Sequence, residues 1–387
     1  MQLPPSLRRA IEQELASCDP GRLRAASARL SDYYRQPGTQ GDGPSPQAGQ
    51  AGTGQQMALR PLTQGIALAN DDLRAAYLGV RMPATFAAAV AALDWTREAF
   101  ARRIRGESCE EDCNASSGEL HTVLDLGSGP GTALWAAARV FPTLQSATAF
   151  ERDPRLIEIA RRLASGDAEA SDVAAYPPVL RHVTWLQGDL TAALPEGTWD
   201  LVVCSYTLNE LNENQRAELI RRVWARAGKL LVVIEPGTKA GFANVLAVRT
   251  SLLAAGATLV APCPNALACP MADRGDWCHF AARVERTAEH RRLKDASLGH
   301  EDEKFSYVAF TRSGLTRNAI THSAVHDELQ SNNPPREPAR IVRHPRIFSG
   351  YTQLTLCAHG EISNTTVTRS KKEDWRRLKR LGWGDLW

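Results

Sequence analysis

The sequence predicts an α/β protein: a mostly parallel sheet covered on both faces by helices, with a helical region before it and a cysteine-rich insertion within it. Three observations predict this. From residue 120 onward, short apolar β-prone runs alternate with helix-like segments, the rhythm of a parallel sheet whose crossovers are helices. The first run ends in Asp125-Leu126-Gly127-Ser128-Gly129-Pro130-Gly131, a glycine-rich turn directly after a strand. Three cysteines then fall within the sixteen residues from Cys263 to Cys278, interrupted by prolines and without helical spacing.

Taken in order, residues 4–35 place Leu7, Ile11, Leu15, Leu23 and Leu30 at helical spacing and read as short helices. Residues 38–56 are Gly, Gln, Pro, Ser and Ala with almost no apolar side chains, so they read as a linker that cannot offset its ordering entropy. Residues 68–105 resume the helical pattern, and GESCEEDCNASSG is an acidic loop. Strands are expected at Thr122–Leu126, Ala147–Phe150, Val183–Leu186, Leu201–Ser205 and Leu230–Ile234. Two later candidates, Tyr307–Thr311 and Gln353–Cys357, lack a clear crossover helix and are expected to form an antiparallel edge pair. The chain thus divides into a helical region (1–119), a cofactor-binding core (120–260), a cysteine-rich insertion with an edge strand (261–310) and a C-terminal strand with a basic tail (311–387).

At 387 residues the chain can form two or three compact units. Hydrophobic residues at 43% and charged residues at 23% are ordinary for a globular protein and exclude disorder of the whole. A net charge of +3 does not argue nucleic-acid binding, which would have to come from local clusters. No apolar run approaches the roughly 18 to 20 residues of a membrane span, and no membrane partner is expected. The N-terminus lacks the apolar core of a secretion signal, and its acids disfavour a mitochondrial presequence. The default is a cytoplasmic protein of bacterial type, or one of the mitochondrial matrix if the source is eukaryotic.

In an open α/β sheet the ligand lies beyond the carboxyl ends of the strands, and glycines there let backbone approach it closely. The spacing Asp-x-Gly-x-Gly-x-Gly differs from the dinucleotide pattern and resembles the first motif of class I S-adenosylmethionine-dependent methyltransferases, a Rossmann-like fold. The resemblance implies that Asp125 assists the amino-acid end of the cofactor while Gly127, Gly129 and Gly131 make the turn. Glu151 ends the second strand, where an acid can accept both ribose hydroxyls, with Asp153 as the alternative. Asp189, followed by Leu190, comes after the third strand, where the resemblance places a carboxylate beside the adenine amino group.

Thiolates spaced as Cys263, Cys269 and Cys278 are suit an iron–sulfur cluster or zinc. A fourth ligand is needed. Cys357 comes first because it ends the last strand candidate, and His279 or His359 would instead favour a Cys3His zinc site. Buried structural thiols are the plain alternative, and the preferred one for Cys18, Cys109, Cys113 and Cys204.

The segments VRMPATFAAAV, VLDLGSGPGTALWAA, SYTLNELN, EPGTKAGF, APCPNALACP with DWCHF, EDEKFSYVAF and the terminal KRLGWGDLW together resemble the methyltransferase-like assembly factors of the small ribosomal subunit, a family with mitochondrial, yeast and bacterial members. They run from about residue 68 to the end of the chain. The resemblance implies binding to small-subunit ribosomal RNA during assembly, a retained S-adenosylmethionine fold, and a 4Fe-4S cluster on Cys263, Cys269, Cys278 and Cys357. It does not settle activity, since fold and function separate readily.

The chemistry expected of an amino methyltransferase is incomplete. After the fourth strand the chain reads Cys204-Ser205-Tyr206-Thr207-Leu208-Asn209-Glu210-Leu211, without the Pro-Pro pair that usually presents an amino group. Tyr206 could stack on a base and Asn209 or Glu210 could accept a proton, but a helix start explains this polar stretch at least as well. Cys204 lies too deep in an apolar strand to serve as a nucleophile. No catalytic residue is assigned, so a non-catalytic assembly factor and a small-molecule methyltransferase stand as alternatives to an rRNA methyltransferase. For RNA contact, the tract Arg369–Arg380 holds seven bases and two acids around Trp375, and a second basic stretch contains Arg336, Arg340, Arg343 and Arg346.

Overall fold

A computed structural model describes residues 1–35, 68–105, 118–165, 177–272, 274–294, 297–312 and 338–387. The linker at 38–56, Cys109, Cys113 and Arg336 lie outside the described residues.

The N-terminal helices are α1 (Pro5–Ala16), α2 (Pro20–Arg35), α3 (Asp71–Ala76) and α4 (Met82–Arg105), the last two joined by a π-turn at Tyr77–Arg81. Asn70 caps α3 by accepting the Leu73 N–H at 2.9 Å, ahead of two acids in its first turn that suit the helix dipole. The stretch Asp71–Ile104 is long and apolar enough by composition to cross a membrane, but 83% of its most apolar window is buried in the protein. Its apolarity is that of a core helix.

The sheet then builds as β1 (Thr122–Leu126), α5 (Thr132–Val140), β2 (Ser146–Glu151), α6 (Pro154–Ser165), β3 (Val183–Gln187), β4 (Trp199–Ser205), α7 (Glu213–Arg226), β5 (Ala227–Pro236), α8 (Lys239–Ala254), β6 (Thr258–Ala261), β7 (Phe280–Glu285), α9 (Ala288–Lys294) and β8 (His300–Thr311). Its strand order is β3-β2-β1-β4-β5-β8-β6, with β7 also paired to β8. The first five strands are parallel and β8 is antiparallel to β5. Both faces are covered. Along β4, Leu201 and Val203 join the core beneath α4 and α5, while Val202 and Cys204 join the core beneath α7 and α8. That alternation is the two-residue period of a strand buried on both sides.

A second, smaller antiparallel sheet contains β9 (Arg340–Ile341), β10 (Arg346–Ile347), β11 (Tyr351–Ala358) and β12 (Glu361–Thr368), followed by α10 (Lys372–Leu378). The expected edge pair is therefore corrected. Tyr307–Thr311 belongs to β8, which lies inside the large sheet between β5 and β6, whereas Gln353–Cys357 belongs to β11, which pairs with β9, β10 and β12. The reason is local: β11 continues through the tight His359-Gly360 turn, both residues at positive φ, into β12, and so has its own partner. Arg340 joins the parts. Buried to 4% exposure, it donates from Nε to the Pro262 carbonyl at 2.7 Å and from Nη1 to the Gly384 carbonyl at 2.6 Å.

Candidate cofactor cleft and cysteine pocket

The turn after β1 is held by its own backbone. The Gly127 and Ser128 N–H groups donate to the Phe150 carbonyl at 2.8 and 3.2 Å, and the Gly131 N–H donates to Ser128 O at 2.8 Å. Gly127 has φ +70°, and a Cβ there would stand 2.0 Å from Thr207 Cγ2. Gly129, at φ +53°, faces open space instead. The sequence needs glycine at the first position for packing and at the second for an approach from outside the chain.

That space belongs to a cleft of about 600 Å³, within the size range of small-molecule sites. Asp125, Gly127, Gly129, Glu151, Asp189 and Leu190 all line it, so the structure brings together every expected cofactor residue but Gly131, which caps α5 just behind. Asp125 is 1% exposed, and neither carboxylate oxygen has a hydrogen-bond partner. Burial, with Glu151 nearby, pushes its carboxyl up to about 7; the Leu134 amide pulls weakly the other way without completing a hydrogen bond. A buried carboxylate without a partner needs an explanation, and a bound cation supplies one. Glu151 accepts the Gly129 N–H through Oε2 and the Asp153 N–H through Oε1, each at 2.9 Å. Asp153, the alternative to Glu151, is instead tied to Arg74 at 2.8 Å. Asp189 is held below the usual carboxylate range, first by the Thr191 hydroxyl and then by its amide, both at 2.7 Å from Oδ1.

Residues that sequence reasoning did not single out, or read otherwise, line the cleft or brace its wall. Tyr77 and Arg81, from the π-turn, line its wall. Arg81 forms a two-pronged pair with Glu303 of β8 at 2.9 and 3.2 Å, with both side chains mostly buried. Tyr206 adopts φ +58°, an uncommon state for a bulky residue, and its hydroxyl donates to Glu303 Oε1 at 3.3 Å. Burial and then Glu303 push its phenol well above the ordinary value, so Tyr206 acts as a donor and not as an anion. Glu235, fully buried, accepts the Leu208 N–H at 3.0 Å and Asn244 Nδ2 at 3.1 Å, fixing the turn that carries Tyr206. Burial pushes its carboxyl up to about 7. The Thr-x-Asn-Glu stretch is a short 3₁₀ turn at Leu208–Glu210, and α7 starts behind a capping box of Asn212 and Gln215. Glu210 stands at the rim, 4.0 Å from Arg152. Cys204 is wholly buried and its thiol is pushed up to about 12, which rules it out as a nucleophile.

The cysteines give a different result. Cys263, Cys269, Cys278 and Cys357 line one pocket, walled mainly by apolar side chains such as Phe242, Val245, Met271 and Phe280. Burial, followed by the three other thiols, raises Cys278 well above its ordinary value. Yet among the described residues no group of three or more His, Cys, Asp or Glu could hold a metal ion. The expected iron–sulfur or zinc centre is thereby corrected: Cys269, Cys278 and Cys357 pack with Phe242, Met271 and Val342 as apolar side chains rather than as a formed ligand set. His279 is no substitute, since its ring lies against Trp277 and Trp383 and its Nδ1 is 3.1 Å from Trp277 O, and His359, in the β11–β12 turn, is not among the residues that line the pocket.

Of the basic candidates, Arg340 is internal and Arg343 is bound to Asp276 and to the Val342 carbonyl, which leaves Arg346 exposed. The seven bases of Arg369–Arg380 are all exposed, and Arg369 covers Trp375 at 5.6 Å.

Residues 72–387 match the family described as mitochondrial small ribosomal subunit Rsm22. Similar curated proteins include Rsm22-cox11 tandem protein 2, mitochondrial, of Schizosaccharomyces pombe, 29% identical over 68% of this chain and 38% of the relative. Another is the human ribosome assembly protein METTL17, mitochondrial, 25% identical over 68% of this chain and 55% of the relative. The chain therefore spans about two fifths to just over half the length of these relatives. Their names overturn the cytoplasmic default, because composition carries no address and these proteins are mitochondrial. Among solved structures, the mitomycin 7-O-methyltransferase MmcR is 18% identical over 63% of this chain and 57% of its own, at a TM-score of 0.35. Magnesium protoporphyrin IX methyltransferase of Synechocystis PCC 6803 with bound SAM is 14% identical over 55% and 89%, at 0.31. Scores this low carry no weight beyond noting the likeness.

Proposed function

Because the chain belongs to the Rsm22 family, we propose that it is an S-adenosylmethionine-binding, methyltransferase-like factor that acts on the small ribosomal subunit and its rRNA during assembly, in mitochondria like the relatives so named. The carrying observation is the cleft beyond the ends of β1, β2 and β4, where Asp125 is buried without a partner beside an open approach at Gly129. The donor set suits the cofactor. Asp125 would face the ammonium group, Glu151 the ribose hydroxyls, and Asp189 with Leu190 the adenine; when bound, the cofactor would supply an electrophilic methyl group.

The assembly-factor reading is favoured over catalysis because, in the turn after β4, Tyr206 keeps its proton and donates a hydrogen bond to Glu303, while Glu210 stands at the rim beside Arg152. A second reading, methyl transfer to rRNA, is favoured by that same Tyr206, whose uncommon backbone places it in the cleft wall. The exposed tract Arg369–Arg380 is the proposed phosphate contact.

The test is co-sedimentation with small-subunit precursors together with transfer from methyl-labelled cofactor. Salt-sensitive co-sedimentation that weakens in the Lys371→Glu/Lys372→Glu variant, without label in rRNA, is expected. Label in rRNA would establish the second reading. No association at low salt would refute both.

A further inference from the structure

Of the five large apolar side chains that stand exposed among the described residues, two are neighbours at the tip of the β10–β11 hairpin: Ile347 at 80% and Phe348 at 42%. The tip is closed by the Phe348 N–H, which donates to Tyr351 O at 2.9 Å. The Phe348 and Tyr351 rings lie nearly parallel, with centroids 4.7 Å apart and planes 12° apart. A ready-stacked aromatic pair facing water is a surface to which a further flat ring can add.

The small sheet sorts its residues by face. Leu354, Leu356 and Val367 pack inward with Leu378 of α10 and with Trp387. On the other face, Arg346, Gln353 and Thr366 are cross-strand neighbours in one row, and Tyr351 and Thr368 in the next. That face offers amide and hydroxyl groups beside the rings, of the kind that pair with base edges and sugar hydroxyls. It is covered at its far end, where Cys357 and Ile362 join the cluster around Phe242 of α8.

Basic groups flank the tip. The Arg369 N–H donates to Gly350 O at 3.0 Å, which ties the start of the Arg369–Arg380 tract to the hairpin. Arg346, Arg369, Lys371 and Lys372 are all exposed. An apolar protein surface would suit Ile347 and Phe348 but would desolvate these cations without return. A phosphate backbone neutralises them, and its unpaired bases can stack on the rings. A duplex keeps its base faces within its own stack and has none to give.

We infer that the β10–β11 hairpin is a platform for an unpaired stretch of RNA, in which a base continues the Phe348–Tyr351 stack while Arg346 and Arg369 meet the flanking phosphates. The assignment rests on the rRNA reading above and narrows it to single-stranded segments.

The test measures binding of the full chain to a fluorescein-labelled oligouridine of about 12 nucleotides, and to the same strand annealed to its complement, beside co-sedimentation with small-subunit precursors. The wild type should bind the single strand at least about tenfold more tightly than the duplex. Phe348→Leu keeps the apolar bulk but loses the aromatic face, and should weaken single-strand binding about tenfold, whereas Phe348→Tyr should bind as the wild type does. Should Phe348→Leu fail to fold, Tyr351→Leu removes the other half of the pair and should act in the same direction. Single-strand binding that Phe348→Leu leaves unchanged would overturn the platform, as would a wild type that co-sediments with precursors but binds no single strand; the rRNA reading survives both results. A Phe348→Leu variant that loses the precursors yet keeps the oligonucleotide would assign the hairpin to a protein partner and overturn the RNA assignment. Binding of neither oligonucleotide nor precursors by the wild type would overturn both readings.

Discussion

Replacing Asp125 by Asn should flatten the dependence of stability on pH. Asp125 is 1% exposed, has no hydrogen-bond partner, and its carboxyl is pushed from 3.8 up to about 7. Between those values the folded protein holds a proton that the unfolded chain has released. Stability from this group is therefore complete below pH 4, falls as pH rises toward 7, and is level above that. A rise of about three units corresponds to at most about 4 kcal/mol, of which about 3 kcal/mol falls between pH 5 and pH 8. Glu235, also raised to about 7, adds a loss of the same sign in the same window, so the wild type should weaken steeply across it. Asn cannot ionise and removes the Asp125 share whatever uniform offset it introduces. Urea unfolding followed by tryptophan fluorescence at pH 5 and pH 8 measures this directly. Parallel losses in wild type and Asp125→Asn would refute the idea that Asp125 is an unpartnered buried acid.

Three other outcomes follow from the same packing. Gly127→Ala should cost about 2 kcal/mol or more, seen as a lowered unfolding midpoint, because its Cβ would stand 2.0 Å from Thr207 Cγ2 at a left-handed φ of +70°. Arg340→Ala should cost about 3 kcal/mol and expose the small sheet to limited proteolysis, since it leaves Pro262 O and Gly384 O without their donor. At Glu301, burial opposes the charge, but His290 and Lys294 outweigh it and hold the carboxyl well below its ordinary range. That stability is present above about pH 4.5 and is lost as pH falls, so Glu301→Gln should show a shallower acid limb in thermal unfolding.

Much of the large sheet was legible because its strands are buried on both faces and read as apolar runs; β1 spans Thr122–Leu126 as expected. The half-polar strands were not. The first half of β8, His300 to Lys304, is charged and pairs with β7 at the margin, so only its apolar end stood out. In β12 one residue, Val367, is buried, and Glu361-Ile-Ser-Asn-Thr-Thr gives no strand-like run, which hid the second sheet and with it the true partner of β11. At the site, Asp125, Glu151 and Asp189 were readable because each sits at or just beyond the carboxyl end of a strand, a position fixed by topology. Arg81 and Glu303 were not, because 222 residues separate them and only the packing of α4 against β8 brings them together. The cysteines show the opposite limit: spacing brought all four to one pocket, but spacing does not set how the thiols point.

The central claim is that the turn at Asp125–Gly131 binds an S-adenosyl cofactor, and titration of S-adenosylhomocysteine into wild type and Gly129→Ala tests it most directly. At φ +53° with no atom within 4 Å of a built Cβ, Gly129→Ala should stay folded at a strain of about 1 kcal/mol while its methyl group occupies the approach the cofactor needs. The account predicts saturable one-to-one binding by the wild type and at least about tenfold weaker binding by the variant. No binding by folded wild type, or equal binding by both, would contradict it.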